Sequence, residues 1–257
     1  SYHNQAAGGF QNVFEALYPQ VPRIPGEIYY SHLPPDFLRA FKTRDVFRLP
    51  NHRNAAINDT WPVETYLGEA IRKSTSHLMP GFGYAILGFG EDDDQLQAHL
   101  KFSGRYGHHH YDSLNLLLFA RGEELVSDIG YTHTIARIWA SSTAGHNTVL
   151  VDEKNQTTGT PPTNALGNLL LFNAQDESFQ AIEASAPDAY PGLVSDYKRA
   201  LITIRTPGGA PYVVDIFSVA GGSRHDWILH GSADKNQTLE LNASGEKMQL
   251  EPLSSLL

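Results

Sequence analysis

From Gly81 onward the chain is a succession of short apolar or alternating stretches, each closed by glycine, proline, asparagine or a charged turn. Stretches this short fit strands better than packed helices, and their regular spacing fits antiparallel sheets layered on one another. Tyr84 to Phe89 reads as one strand, and Gln95 to Phe102 alternates polar and apolar residues as a second. Leu114 to Ala120 and Leu125 to Asp128 flank Arg121-Gly122-Glu123-Glu124 and read as a hairpin. Further strands are expected over Thr148–Asp152, Leu169–Asn173, Phe179–Glu183, Ala200–Arg205, Tyr212–Val219, Asp226–His230 and Thr238–Leu241. Asp92-Asp93-Asp94 is a polar turn, since no EF-hand spacing follows it. Ala186 to Leu193, with two prolines, is a loop over one face.

Residues 1–76 have another texture. Phe10, Val13, Phe14, Leu17 and Tyr18 repeat at helical spacing and stop at Pro19 and Pro22. Pro34-Pro35 can open a short helix over Asp36 to Phe41, and Val63 to Lys73 is a third helical candidate after Trp61-Pro62. This part is too short for an independent bundle. It is either a helical cap on a β domain of residues 77–257 or the tail of a helical domain whose front is missing. The start at Ser1 without methionine and the end at Ser254-Ser255-Leu256-Leu257 suggest a piece of something larger, incomplete at its C-terminus.

Composition narrows the chemistry. With 28 acidic and 19 basic residues the net charge is −9, which argues against a nucleic-acid surface. A polyanionic substrate would need local arginine, lysine and histidine to overcome that field. There are no cysteines, so any transition-metal site must use histidine and carboxylate. No apolar run reaches the ~18 residues of a membrane helix.

Five of the 12 histidines lie between 108 and 146. Gly107-His108-His109-His110-Tyr111-Asp112 holds three of them. On an extended strand His108, His110 and Asp112 would share one face, with His109 and Tyr111 on the other. Asp128 and His146 are the natural distant contributors to a three-ligand site. A simple hairpin at Arg121-Gly122, however, sets Asp128 opposite about residue 115, ~17 Å along the strand from His110. A bulge, a bend near Asp112 or another strand order is needed. Spacing alone leaves other readings open. His109 fits a solvated face, His146 a buried hydrogen-bonded ring, and Asp128 a turn.

The run from Gly107 to Asp112, then Leu125-Val126-Ser127-Asp128-Ile129-Gly130, then Ser142-Thr143-Ala144-Gly145-His146-Asn147-Thr148, resembles the heparinase II/III-like polysaccharide lyases. Tyr212-Val213-Val214-Asp215-Ile216-Phe217, Gly221-Gly222 and His225-Asp226-Trp227 extend the likeness, which covers roughly residues 80–232. The resemblance implies an antiparallel β part preceded by the end of an (α/α) toroid, here residues 1–76. It implies His110, Asp128 and His146 as ligands of Zn²⁺ or another divalent metal, and His108 as the active-site histidine. A toroid tyrosine serves as acid/base in such enzymes, with Tyr2 the nearest candidate and Tyr131 a second. An Asn-His pair that neutralises the substrate carboxylate would precede residue 1.

Such lyases cleave beside a uronic acid by β-elimination, so the implied substrate is an acidic glycan. Heparin or heparan-type glycosaminoglycan is the default and alginate the rival. Arg105, Arg137 and Tyr190 are candidate substrate contacts, while Lys198 could meet an acidic group or be a surface charge. His225 and His230 flank Trp227 and read first as hydrogen-bonded or packing histidines. Periplasmic or secreted placement and a possible homodimer rest on the resemblance alone. From other classes, a cupin-like metal oxygenase would also use a His-x-His strand, but would want a glutamate after the pair. A non-catalytic carbohydrate-binding sandwich is the third reading.

Overall fold

The computed structural model describes residues 43–238 other than 64, 67, 104–107, 158–166 and 233. The helices expected over 10–18 and 36–41 lie outside these residues, as do Tyr2, Arg105 and nearly all of the strand expected over 238–241. Among the described residues eleven strands form antiparallel sheets. Strands β1 (His77–Met79), β2 (Tyr84–Phe89), β3 (Leu96–Lys101), β4 (Asn115–Ala120) and β5 (Glu123–Val126) pair in chain order. β7 (Asn168–Asp176), β8 (Phe179–Ser185), β9 (Val194–Ile204) and β10 (Tyr212–Gly221) make a second meander. β6 (Val149–Val151) pairs with β11 (His225–Trp227) in a two-stranded ribbon.

The first sheet is covered on both faces, which is why β2 reads as an unbroken apolar run. Ala85, Leu87, Phe89, Ala98, Leu100 and Leu116 join Ile182, Ala184, Tyr197 and Leu201 of the second sheet in one buried cluster. Tyr84, Ile86, Leu117 and Phe119 point the other way and pack with Leu49, Ala55 and Ile57. Each such Leu, Ile or Phe contributes roughly 1.5–3 kcal/mol by leaving water. On that second face β3 offers polar side chains, and they are satisfied in series. The Tyr84 hydroxyl lies 2.8 Å from His99 Nδ1, His99 Nε2 lies 2.9 Å from Gln97 Oε1, and Gln97 donates to Ser74 Oγ. Burial pushes His99 down to about 3, so the ring is neutral at physiological pH.

Two local expectations fail. Val63 to Lys73 is irregular, not helical. Its backbone bridges outward, Thr65 to Arg53 and Lys73 to Glu91, and Gly68 sits at φ 104°, outside the helical region. His108 to Asp112 is likewise no strand: His108 has φ 59°, and the segment is turn and bend.

Candidate metal centre and active site

A bend brings the distant residues together. Beyond Asp112 the chain reverses: the Asn115 N–H donates to the Asp112 carbonyl and Leu114 takes φ 63°. His110 therefore folds back over the start of β4 and does not lie on its extension. In the β4–β5 hairpin, Phe119 pairs with Glu124 but Leu118 pairs with Val126, so Leu125 is passed over. Past the bulge Asp128 still lies beside Asn115, near where a simple hairpin would put it, and the Asn115 amide donates to Asp128 Oδ2 at 2.9 Å. Asn147, beside His146, ties the other side. Its backbone N–H donates to Asn115 Oδ1, and its amide donates to the carbonyls of Leu116 and Ser127. From the second sheet the buried Arg199 reaches the carbonyls of Leu114 and Asn147 while pairing with Asp215 at 2.6 Å.

His110, Asp128 and His146 are all buried, and one donor atom from each lies within 4.8 Å of the others. His110 Nδ1 and His146 Nε2 are 3.2 Å apart, and His146 Nε2 is 3.4 Å from Asp128 Oδ2. Tetrahedral ligands at ~2.0–2.1 Å from a zinc ion are themselves about 3.3 Å apart. The protonation pattern makes the same demand. His146 Nδ1 faces the Ser142 carbonyl at 2.6 Å, and His110 Nε2 faces the Asp59 carboxylate at 3.3 Å. Both partners can only accept, so each ring carries its proton there. Burial lowers the pKa of both rings, against the pull of Asp112, and keeps them neutral. Two bare lone pairs then face each other with a carboxylate alongside, an arrangement that repels itself unless a cation sits between. Burial raises Asp128 to about 6, against the influence of His110, so a proton competes for its ligand oxygen below about pH 6. The donor set thus fits a divalent metal with nitrogen and oxygen ligands.

Asp59 is the residue that sequence reasoning missed. It accepts from His108 Nδ1 at 2.8 Å, from His110 Nε2 at 3.3 Å, and from Arg137 through Nη1 at 2.8 Å and Nη2 at 3.1 Å. Burial pushes this carboxyl upward, but the bonds from Arg137, His108 and His110 outweigh it and hold it below its ordinary value. One carboxylate therefore orients His108 and His110 together and fixes their rings and tautomers. Nothing in Asn58-Asp59-Thr60 signals this. The only hint is an acidic residue beside a positive-φ asparagine, with Asn58 at φ 51°. Lys101 of β3 binds both Asn58 Oδ1 and Asp112 Oδ1, clamping the Asp59 loop and the histidine loop to one ammonium.

The other expected site residues divide. His108 is about half exposed at 48%, and His109 is exposed as expected. Arg137 caps the cluster with its guanidinium 4.3 Å from the centroid of the Tyr131 ring, so Tyr131 and His108 meet around Asp59 and Arg137. Arg137 is already held by a carboxylate, which reduces its capacity to clamp a second one. Tyr190 is a correction: it is 3% exposed in the core, accepts from the Val151 N–H and donates to the Lys154 carbonyl, so it cannot stack on sugar. Lys198 pairs with Asp196 on β9, His225 bonds the Gly221 carbonyl, and His230 bonds the Ala144 carbonyl.

The family model described as heparinase II/III-like, C-terminal, matches residues 71–255. An alginate lyase of Stenotrophomonas maltophilia is 31% identical over 165 residues, covering 58% of this chain and 22% of that protein. An exo-oligoalginate lyase of Saccharophagus degradans is 29% identical over 188 residues, covering 61% and 23%. The chain thus spans less than a quarter of the length of these relatives. Among solved structures, a heparan sulfate lyase HepC mutant from Pedobacter heparinus aligns at TM-score 0.60 and 16% identity, over 86% of this chain and 37% of that one. A lysine-methylated heparinase III aligns at TM-score 0.56 and 17% identity, over 76% and 34%. These likenesses carry the fold alone. On the match over residues 71–255, the chain belongs to the heparinase II/III-like C-terminal family.

Proposed function

We propose that the protein is a polysaccharide lyase that cleaves beside a uronic acid by β-elimination, and that alginate-type oligouronate is its substrate. The observation that carries the reaction type is the pairing, two residues apart, of a half-exposed histidine with a buried metal-type histidine on one carboxylate, Asp59. The alginate preference is supported by the two curated relatives, both named as alginate lyases.

In β-elimination a base takes the C5 proton, the uronate carboxylate is neutralised as negative charge develops, and an acid protonates the leaving oxygen. His108 is suited to proton exchange, because donating Nδ1–H to Asp59 makes Nε2 the basic nitrogen of the neutral ring. Tyr131 is the second proton-handling group on this side, with the Arg137 guanidinium over its ring. Tyr2 stands as a further candidate from the sequence alone. Arg137 supplies a local positive charge that the net charge of −9 conceals. His110, Asp128 and His146 would hold Zn²⁺ or another divalent ion, which supplies structural order beneath the cleft or Lewis acidity beside it. Periplasmic or secreted placement is proposed on the family resemblance; no helix among the described residues is long and apolar enough to cross a membrane.

Incubation of the full-length protein with alginate, heparin, heparan sulfate and hyaluronan, followed by the ultraviolet absorbance of unsaturated product, tests the proposal. Absorbance is expected first with alginate oligomers; none on any uronate polymer would sink it.

A further inference from the structure

Trp61 has no part in the metal centre or in proton exchange, yet the fold sets it with care. Its indole is 39% exposed. It meets Tyr131 with ring centroids 4.8 Å apart at 74°, and His133 with centroids 4.6 Å apart at 67°. Tyr131 and His133 also contact each other, with the phenol oxygen 3.2 Å from His133 Nδ1. Two steeply inclined contacts from adjacent rings fix the plane of the indole, and the exposed part is left to solvent. Three rings in mutual contact present a rigid shelf, not a mobile surface tryptophan.

The shelf is registered to the site through the backbone. The Tyr131 N–H donates to the Thr60 carbonyl at 2.9 Å, and the Gly130 N–H donates to Asp128 Oδ1 at 2.8 Å. Gly130 permits the approach, since a Cβ there would sit 2.1 Å from the Thr60 oxygen at φ 54°. One end of this connection is the candidate metal ligand Asp128 and the other is Trp61. Asp59, which holds His108 and Arg137, is only two residues from Trp61, a reach of at most about 7 Å.

We infer that Trp61, with Tyr131 and His133, is a stacking subsite for one pyranose ring of the uronate chain, next to the sugar whose bond is broken. This rests on the uronate-lyase reading. A pyranose has an apolar face of ring C–H groups and a polar rim. The aromatic shelf matches the face, while Arg137 and the histidines lie where carboxylate and hydroxyl groups would project. Apolar lining with a few placed polar groups is how glycan and other small-ligand sites achieve orientation.

The test uses the full-length protein and a mannuronate tetrasaccharide as probe, with binding by calorimetry and turnover by product absorbance. Trp61→Ala is expected to weaken binding and raise KM about tenfold, which is about 1.4 kcal/mol, with kcat held within about threefold. Trp61→Phe is expected to recover most of the loss. If Trp61→Ala fails to fold, judged by its melting curve, Trp61→Phe and Trp61→Leu make the same comparison. A variant without the ring that binds like wild type overturns the subsite, as does a loss confined to kcat. If wild type binds the tetrasaccharide through Trp61 but cleaves no uronate polymer, the subsite stands and the lyase reading fails. If wild type does not bind it at all, the subsite is overturned.

Discussion

Metal affinity should fall with acid in a way that only this ligand set produces. The perturbation is a stepwise change from pH 7 to pH 5 on the metal-stripped protein. Asp128 titrates at about 6 because burial disfavours its charge, so a proton competes for the ligand oxygen below that pH. At pH 7 roughly a tenth of the sites carry that proton, and at pH 5 roughly nine-tenths. The apparent zinc affinity should therefore drop about tenfold, or about 1.4 kcal/mol, and be nearly flat above pH 7. An ordinary carboxylate near 3.8 would give almost no change over the same interval. Histidines at their ordinary 6.5 would each add a further steep loss, and because burial lowers His110 and His146 their share of that loss is smaller. Zinc titration against a competing chelator at each pH reads the affinity. A flat profile would remove Asp128 from the ligand set, and a slope approaching three protons would show that the rings are not held neutral.

Other consequences are more local. Replacing Arg199 by Met leaves Asp215 without its arginine and removes a donor from the carbonyls of Leu114 and Asn147, the latter keeping the Leu116 N–H; a loss of roughly 3–5 kcal/mol in urea unfolding is expected. Gly130→Ala forces a Cβ against the Thr60 oxygen in a left-handed conformation, and should cost roughly 1–3 kcal/mol while also weakening zinc binding. Tyr190→Phe removes two backbone hydrogen bonds and should lower stability by about 1 kcal/mol, with KM unchanged because the ring is internal.

Strand existence was legible because it depends on local pattern. Tyr84–Phe89 matches its sequence limits, and the turn at Arg121-Gly122 is where the alternation breaks. Edges were less so: β9 begins at Val194, six residues ahead of the Ala200 expected, because Asp196 and Lys198 sit on the more open face and Ser195 is exposed, so none carries an apolar signal. The helix expected over Val63–Lys73 failed since its backbone bridges to Arg53 at Thr65 and to Glu91 at Lys73, a tertiary demand invisible in the window. The three candidate ligands were recoverable from residue type and motif order, and they do converge. Strand alternation gave the wrong reason for separating His109 from His108 and His110: the segment is no strand, and positive φ at His108 and reversal at Leu114 set their directions. Asp59 could not be found, because its role comes from a loop that approaches from 49 and 51 residues away in sequence.

The division of labour within one histidine run is the central claim, and a single paired measurement reaches it. Metal content and product formation from alginate oligomers are determined on the same preparations of full-length wild type, His108→Ala and His110→Ala. His108→Ala should retain wild-type zinc and lose turnover by at least about a hundredfold, the scale of one acid–base group. His110→Ala should lose zinc and turnover together. Wild-type turnover in His108→Ala, or wild-type zinc in His110→Ala, would contradict the assignment of one histidine to the reaction and the other to the metal.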